Sequence, residues 1–353
     1  MKIEGMLPLG RLDPGVRAAA PLDIARVAED ARRAEELGYD GVLTEETKDD
    51  PFIIMGLAAQ ATSRVQLATA VAVAFPRSPA VTALSAWTLA RLSKGRFRLG
   101  LGSQVKGHIE RRYGVRWSPP GPWLRDYVGA LRAIWDSWQH GTPLDYRSEH
   151  YTLNLTVPLF MPAPLEHLEI PVELAAVNPY MCQVAGEVAD GIRAHPVSTP
   201  RYIADTMLAA ARKGAAKAGR DLAAFTMCVK PLIATAPDRA GLAERVRDIR
   251  ARVAFYASTP AYLAAFETEG YGEVARTLQG HARGQRWDKM PGLVTDEMLD
   301  AYAVIGTYDE IAARLHARYG HLATSLEFAI PPSAAGDDAM LRELIDSLRR
   351  GAA

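Results

Sequence analysis

The stretch Val65-Gln-Leu-Ala-Thr-Ala-Val-Ala-Val73 decides the fold, because its run of apolar residues predicts a buried strand. A predicted helix follows, opened by Ser78-Pro79 and running to about Leu92, with proline at the favoured first helical position. A second buried strand comes next, Arg96-Phe-Arg-Leu-Gly-Leu-Gly102. Strand, helix and strand in this order predict a βαβ unit, whose two strands run parallel.

The same alternation of strands and helices extends along the whole chain. The other predicted strands are Lys2–Leu9, Asp40–Thr44, Ile170–Ala176, Gly191–His195, Met227–Ala234 and Ser325–Ile330. The other predicted helices are Asp23–Leu37, Pro51–Ala61, Tyr180–Ala189, Pro200–Ala218, Gly241–Ala254, Thr307–Tyr319 and Asp337–Arg349. Eight strands in this alternation predict a parallel sheet closed into a barrel. The predicted fold class is α/β, a (β/α)8 TIM barrel with insertions.

Two stretches depart from the alternation and explain the length of 353 residues. Residues 117–164 hold a predicted helix at Trp123–Trp138 and a small hairpin around Tyr146 and Tyr151-Thr152-Leu153. Residues 259–303 are predicted to be mostly helical. Neither stretch has the composition of a linker between domains. We therefore expect one domain over residues 1–353, with loop insertions at about 117–164 and 259–303.

Charge and cysteine content narrow the class of protein. Lys+Arg and Asp+Glu both number 41, so the chain has no overall basic field to attract nucleic acid or an anionic membrane. Its two cysteines, Cys182 and Cys228, are too few for a disulfide framework. The first ten residues lack the basic start and long apolar run of a signal peptide. We expect a cytoplasmic protein whose partner is a small-molecule substrate.

Most motifs that carry chemistry are missing. Gly100-Leu101-Gly102 follows a strand, but Val105 replaces the third glycine of a dinucleotide-binding fingerprint. No HExxH motif or Walker loop occurs, and the histidines are dispersed, so no metal site is predicted.

Barrel enzymes place their chemistry at the carboxyl ends of the strands. Here the ends considered are Pro8, Glu45-Glu46-Thr47, Ala70-Val71-Ala72, Gly102-Ser103-Gln104, Ala176-Val177-Asn178 and His195. Because these strand-end residues include few acids or bases, they favour a barrel mouth that binds a large planar cofactor. It is unsuited to a glycosidase, which needs two facing carboxylates.

A set of motifs in a fixed order resembles the luciferase-like monooxygenase superfamily. They are Ala34–Val42 (AEELGYDGV), Asp50-Pro51-Phe52, Leu67–Val71 (LATAV), Ser78-Pro79, Leu92–Gly102 (LSKGRFRLGLG), Ile170–Ala176 (IPVELAA), Ala189-Asp190-Gly191 and Ile305–Leu315 (IGTYDEIAARL). Within the family, Gln104–Trp117 is similar to the branch of oxidoreductases that use the deazaflavin coenzyme F420.

The resemblance implies a deazaflavin at the barrel mouth and a non-prolyl cis peptide bond at Ala70-Val71. The residues it implies for cofactor binding are Ala70, Val71, Ala72, Ser103, Gln104, His108, Ala176, Val177, Asn178, Pro179 and Tyr180. Three of these assignments have a plainer alternative. The Ala70–Ala72 segment would be an ordinary barrel strand, Asn178 would only cap a helix, and His108 would be a helix histidine bound to water.

The family resemblance also guides the reaction. Its deazaflavin sugar-phosphate dehydrogenases carry a histidine where this chain has Thr47 and a glutamate where it has Val105. This argues against alcohol or sugar oxidation and favours reduction of an activated C=C or C=N bond by hydride transfer from deazaflavin C5. His108, Thr47 and Glu46 are the catalytic candidates. The alternatives are an FMN-dependent monooxygenase with a partner reductase, and a non-catalytic paralogue that binds deazaflavin.

Three further features bear on binding. Lys106, Arg111, Arg112 and Arg116 form a basic cluster that would suit the phosphate and oligoglutamate tail of F420, or would only keep a surface helix soluble. The aromatic residues Tyr113, Trp117, Trp123 and Trp287 would wall a substrate pocket or pack the loops. The family resemblance implies a possible homodimer through Phe52–Ala61 and Val81–Trp87, with Trp87 at the interface if exposed and in the core otherwise.

Overall fold

A computed structural model describes residues 1–9, 22–166, 169–330 and 337–351. The strands in chain order are β1 (Lys2–Met6), β2 (Gly41–Thr44), β3 (Gln66–Thr69), β4 (Ala72–Val73), β5 (Phe97–Gly102), β6 (Tyr146–Arg147), β7 (Thr152–Leu153), β8 (Val172–Ala176), β9 (Gly191–Ala194), β10 (Thr226–Val229), β11 (Leu232–Ala236), β12 (Ala303–Thr307) and β13 (Ser325–Glu327).

The helices follow the strands around the outside. They are α1 (Val27–Leu37), α2 (Pro51–Ala61), α3 (Pro79–Leu92), α4 (Lys106–Arg111), α5 (Pro120–His140), α6 (Pro179–Val188), α7 (Pro200–Tyr202), α8 (Leu208–Ala218), α9 (Arg239–Ala257), α10 (Leu263–Thr268), α11 (Gly272–Arg283), α12 (Asp296–Tyr302), α13 (Tyr308–Tyr319) and α14 (Asp338–Arg350). The predicted helix Pro200–Ala218 is present, but a π-helical turn at Ile203–Met207 separates α7 from α8.

The main sheet is a closed parallel barrel. Its strands lie in the order β3, β2, β1, β13, β10, β9, β8 and β5, and a further pairing of β3 with β5 closes the ring. Every one of these pairings is parallel. The predicted (β/α)8 TIM barrel is therefore confirmed, with all eight predicted strands present in the described part of the chain.

Local sequence explains where the helices begin and end. Asp50 caps α2 by accepting from the Phe52 amide at 2.8 Å, and Pro51 takes the first helical position. On α1 the apolar residues at helical spacing are buried, and Gly38 ends the helix at a φ of +92°. These caps set the entry angle of each helix onto the barrel.

One predicted strand was wrong in its extent. Met227–Ala234 is two strands, β10 in the barrel and β11 outside it. Pro231 lies between them, and a proline has no amide hydrogen to continue a ladder of strand hydrogen bonds. The chain leaves the barrel at this point, immediately after Lys230.

The residues between β10 and β13 form a small module beside the barrel. β11 pairs in parallel with β12 over Leu232–Ala236 and Ala303–Thr307. The sequence did not predict β12, whose residues were assigned partly to the helical insertion. Residues 259–303 are indeed mostly helical, but the module also includes α9, β11 and β12.

The other insertion, residues 117–164, contains α5 and the predicted hairpin, formed by β6 and β7. Trp123 on α5 stacks on Phe75 with ring centroids 3.7 Å apart and donates to the Tyr151 hydroxyl at 2.7 Å. Trp87 on α3 is only 2% exposed, so it belongs to the core. Across the ranges the structure describes, no helix combines the length and apolar character needed to cross a bilayer.

Candidate functional site

A cavity of about 580 Å³ opens at the carboxyl ends of the barrel strands. Both the barrel and the insertions supply its walls. The strand ends contribute Glu45, Ala70, Val71, Ser103, Ala176, Asn178, His195, Lys230 and Glu327. The insertions contribute Trp117, Thr259 and Tyr262, and the end of α9 contributes Tyr256. Of the four aromatic residues proposed as pocket walls, Trp117 lines this cavity, whereas Tyr113, Trp123 and Trp287 do not.

One wall is built from the break between β3 and β4. The Ala70-Val71 peptide bond is cis, as the family resemblance implied. The Ala70 amide donates to the Thr44 carbonyl at 2.7 Å, which ties this segment to β2. Val71 faces Gly102 so closely that a Cβ at position 102 would lie 2.7 Å from Val71 Cγ2. The wall is therefore small, apolar and held on both sides by neighbouring strands; Ala70 and Val71 line the cavity, whereas Ala72 is buried behind it.

Glu46 supports this wall from the end of β2. Its Oε2 accepts from the Val73 amide and from Arg77 Nη1, each at 2.7 Å. Its Oε1 lies 3.4 Å from the Tyr113 hydroxyl, which donates to it. Arg77 also donates to Asp50 at 2.8 Å. Both carboxylate oxygens of this catalytic candidate are thus engaged by the protein.

The predicted site residues in the segment after β5 differ in whether they line the cavity. Ser103 and Gln104 line the cavity, and Gln104 has a φ of +55° with its side-chain oxygen accepting from the Val105 amide. His108 lies on α4, is exposed, and is not among the residues that line the cavity. Thr47 lines the rim and is exposed, and its carbonyl accepts from Arg112 Nη2 at 2.8 Å.

The start of α6 forms another part of the mouth. Ala176, Val177 and Asn178 line the cavity, whereas Pro179 and Tyr180 do not. The Asn178 side chain accepts from the Met181 amide at 2.9 Å, so it caps the helix. The amides of the first helical turn remain the natural place for an anionic group of a ligand.

The floor of the cavity contradicts the expectation of few acids or bases. Four charged side chains from different barrel strands meet inside the barrel beneath it: Glu4 of β1, Arg98 of β5, Glu173 of β8 and Arg193 of β9. Of these, Glu4 and Arg193 also line the cavity. Their side chains are between 1% and 9% exposed. Arg98 pairs with Glu4 at 3.3 Å and with Glu173; Arg193 pairs with Glu4 at 3.3 Å and with Glu173 at 2.7 Å.

The neighbouring guanidinium groups favour the ionised form of Glu4. Burial by itself would raise the pKa of Glu4, but the neighbouring Arg193 and Arg98 guanidinium groups hold it below its usual value. Two carboxylates and two guanidinium groups leave the quartet with no net charge. Such a buried network contributes specificity of packing more surely than it contributes stability.

A second charged group lies above the quartet. Lys230 Nζ, just after β10, is 3.0 Å from Glu327 Oε1 at the end of β13 and 3.9 Å from Glu45 Oε2 after β2. Burial raises the pKa of Glu327, and the Lys230 ammonium offsets this effect only in part.

Sequence reasoning missed these charged residues, although a signal for them was present. Glu4, Arg98, Glu173, Arg193 and Glu327 are each a charged residue inside a mostly apolar predicted strand. Side chains alternate across a strand, and the inward positions of a barrel meet in layers. Within the described ranges, no group of three or more His, Cys, Asp or Glu residues is placed to hold a metal ion.

The geometry fits a planar tricyclic cofactor. A small apolar wall at Ala70 and Val71 can accept the face of a ring, polar groups at Ser103 and Gln104 lie beside it, and a helix amino terminus lies at the mouth. This lining is suited to a flavin-like group.

Comparison with known proteins identifies the family. The model of the luciferase-like monooxygenases matches residues 4–325, so the chain belongs to the luciferase-like monooxygenase family. The family prediction and the prediction of an oxidoreductase enzyme are thereby confirmed.

Two relatives illustrate the likeness in sequence. The chain is 42% identical over 298 residues to an uncharacterized protein of Mycobacterium tuberculosis, covering 84% of this chain and 88% of the relative. It is 27% identical over 309 residues to a putative coenzyme F420-dependent oxidoreductase of the same organism, covering 82% and 86%.

Two solved structures illustrate the likeness in fold. The coenzyme F420-dependent tetrahydromethanopterin reductase from Methanopyrus kandleri has a TM-score of 0.72 at 20% identity, covering 98% of this chain and 96% of that one. A type II Baeyer–Villiger monooxygenase of Pseudomonas putida, in complex with FMN, has a TM-score of 0.65 at 16% identity, covering 100% and 98%. At these identities the likeness concerns the fold.

Proposed function

We propose that this protein is a coenzyme F420-dependent oxidoreductase that reduces an activated C=C or C=N bond of a small organic substrate. The observation that carries the proposal is a cavity with a small apolar wall whose mouth meets the basic segment Lys106–Arg116. The relative named for coenzyme F420 supports the choice of cofactor.

The proposal assigns the parts of the cavity to the parts of the cofactor. Ala70 and Val71 would contact the ring face, and Ser103 and Gln104 would hydrogen-bond to ring heteroatoms. The first turn of α6, next to Asn178, would bind the phosphate. In its reduced form the cofactor supplies a hydride.

The basic rim supports F420 over FMN. Lys106 lines the cavity, and Lys106, Arg111, Arg112 and Arg116 are all exposed on the segment that follows β5. The F420 tail carries several carboxylates, which FMN lacks. An exposed basic cluster attracts such a tail by long-range electrostatics that salt weakens.

Two positions at the mouth support reduction over alcohol oxidation. Thr47 and Val105 stand where deazaflavin dehydrogenases of sugar phosphates carry their histidine and glutamate, and neither side chain can accept a proton at neutral pH. Both residues are exposed and both line the rim. The acid for a reduction must therefore come from elsewhere in the cavity.

Titration with the two cofactors tests the proposal. Purified protein is mixed with F420 and with FMN while absorbance and fluorescence are followed; tight binding of FMN with no binding of F420 contradicts it and favours the monooxygenase. Oxidation of reduced F420 by acceptors that contain C=C or C=N bonds is then measured. Binding without any such turnover would point to a non-catalytic carrier.

Substitutions in the rim sharpen the test. We expect the pair Lys106→Ala and Arg112→Ala to weaken F420 binding and flatten its salt dependence while leaving FMN binding unchanged. Arg239→Ala is the matched control, because Arg239 is 71% exposed and does not line the cavity. Equal losses of affinity for F420 and for FMN would contradict the proposal that the basic rim binds the F420 tail.

We further propose a homodimer through α2 and α3. Ile53, Val81 and Leu84 on these helices are 63%, 56% and 51% exposed, which leaves an apolar face in water. Sedimentation of wild type and of Leu84→Glu tests this, with Ile24→Glu, at a site that is 45% exposed, as the control. A wild-type monomer would refute the dimer.

A further inference from the structure

Glu327 is a carboxyl group set into the cavity wall. It is the last residue of β13, its side chain is 13% exposed, and it lines the cavity. Its Oε1 lies 3.0 Å from Lys230 Nζ, and Lys230 also lines the cavity. A group in this position can reach a substrate bound above the floor.

The cations that face Glu327 are shared with other carboxylates. Lys230 is shared with Glu45, whose Oε2 is 3.9 Å from the ammonium. Arg193 faces Glu327 from β9, but it already pairs with Glu4 and Glu173. Glu4 is the partner of Glu327 in the register between β1 and β13, so a second carboxylate approaches from that strand.

This setting shifts Glu327 towards the neutral acid relative to a glutamate in water, because its pKa is raised. Two carboxylates that share one cation repel each other, and a carboxylate that has lost most of its water is costly to keep ionised. Burial is the main cause of the raised pKa of Glu327, and the charge on Glu45 acts in the same direction.

We propose that Glu327 holds a proton at neutral pH and is the catalytic acid of the reduction, with Lys230 placed to stabilise the carboxylate that remains. The assignment rests on the function proposed above. It also explains how the enzyme works although Glu46 has both oxygens engaged and His108 lies outside the cavity.

The step balances with the reductant already named. Reduced F420 is the two-electron donor, and delivery of a hydride to the carbon of a C=N bond leaves an electron pair on nitrogen. The O–H bond of Glu327 breaks, an N–H bond forms, and the O–H electron pair stays on the carboxylate beside Lys230. For an activated C=C bond the proton goes to carbon instead. Water at the cavity mouth returns a proton to Glu327 afterwards.

Infrared spectroscopy of the protein without cofactor provides the first readout. At neutral pH we expect a protonated-carboxyl band that shifts in heavy water, is absent in Glu327→Gln and persists in the control Glu273→Gln, whose side chain is 91% exposed. Lys230→Met should move the loss of this band to higher pH, because the cation that favours the carboxylate is gone. A band that persists in Glu327→Gln, or a titration that Lys230→Met leaves unmoved, overturns the proposal.

Kinetics with reduced F420 provide the second readout. We expect Glu327→Gln to slow oxidation of the bound cofactor by an acceptor about 10²-fold or more, with the dissociation constant for F420 unchanged. Glu327→Asp should restore part of the rate if the glutamine variant folds poorly. Glu273→Gln is the control, since Glu273 is 91% exposed on α11. An unchanged rate in folded Glu327→Gln overturns the assignment.

The two proposals fail separately. If F420 does not bind to wild type but the infrared band is lost in Glu327→Gln, the proposed function is wrong and the protonated state stands. If F420 binds and acceptors are reduced but wild type lacks the band at neutral pH, only the inference about Glu327 is wrong.

Discussion

Glu46 follows β2 and Glu327 ends β13, the two strands that flank β1 in the barrel. The surroundings of these two glutamates give them opposite uses. Glu46 accepts from a backbone amide, a guanidinium group and a tyrosine hydroxyl, so it holds the wall in place. Glu327 faces one ammonium group, which Glu45 shares. The number and charge of the donors, and not the residue type, separate a structural carboxylate from a reactive one.

The largest expected effect lies in the floor beneath Glu327. Arg98→Met should lower the free energy of unfolding by about 3–5 kcal/mol, because it leaves Glu4 and Glu173 buried with one cation fewer. Denaturant unfolding measures this change. Arg201→Met is the control: its pair with Asp205 is 3.8 Å long and both side chains are more than 60% exposed, so we expect less than about 1 kcal/mol. Equal losses in the two variants would show that the quartet is not a special structural unit.

The wall provides the next test. Glu46→Gln should cost about 2 kcal/mol of stability, since hydrogen bonds to charged groups contribute about 1.5–3 kcal/mol and Arg77 keeps only Asp50 as its ionic partner. Urea unfolding measures the loss. Because Glu46 holds the Val73 amide, cofactor binding should weaken as well. A fully stable variant with normal binding would show that the wall holds without this carboxylate.

A pH series sharpens the contrast between carboxylates. Burial raises the pKa of Glu327 above its ordinary value of 4.5, so the folded protein binds this proton more tightly than the unfolded chain does. Stability should therefore fall as the pH rises from that ordinary value towards the raised one, and Glu327→Gln should remove this fall. Glu4 and Glu35 have lowered pKa values, so the loss of stability in acid should remain in the variant. Unfolding free energies measured across the pH range test this prediction. An equal fall in stability above pH 4.5 in wild type and in Glu327→Gln would contradict it.

The smallest effect is expected outside the cavity. His108→Ala should change the rate with bound cofactor by less than about threefold, which corresponds to about 0.6 kcal/mol, because His108 is exposed and does not line the cavity. Steady-state kinetics at saturating F420 measure it. A loss as large as that of Glu327→Gln would return the role of acid to His108.

Much of the barrel could be predicted because it depends on local patterns. Apolar runs such as Val65–Val73 and helix caps such as Ser78-Pro79 act over a few residues, and all the barrel strands were located from them. The position of the cis peptide bond came from family resemblance, since no local rule distinguishes Ala70-Val71 from other pairs in the strand. Strand β12 was missed, because its partner β11 lies almost seventy residues away along the chain and follows the break at Pro231.

The candidate site was predicted only in part. The residues of the ring wall, Ala70, Val71 and Ser103, do line the cavity, whereas His108, Pro179 and Tyr180 do not. The charged floor was overlooked because each strand contributes one charge, and one charge in one strand says little about the others. The network becomes evident only when the closed barrel places these inward-facing side chains in one layer.

By itself the sequence determined the barrel class, the places of its strands and the family, because strand periodicity, caps and ordered motifs are properties of neighbouring residues. The tertiary structure alone decided which charges meet. Closure of the barrel brings Glu4, Arg98, Glu173 and Arg193 together from four strands and sets Lys230 between Glu45 and Glu327. Proton affinity depends on distances through space and on burial, and both arise only when the ring of strands closes.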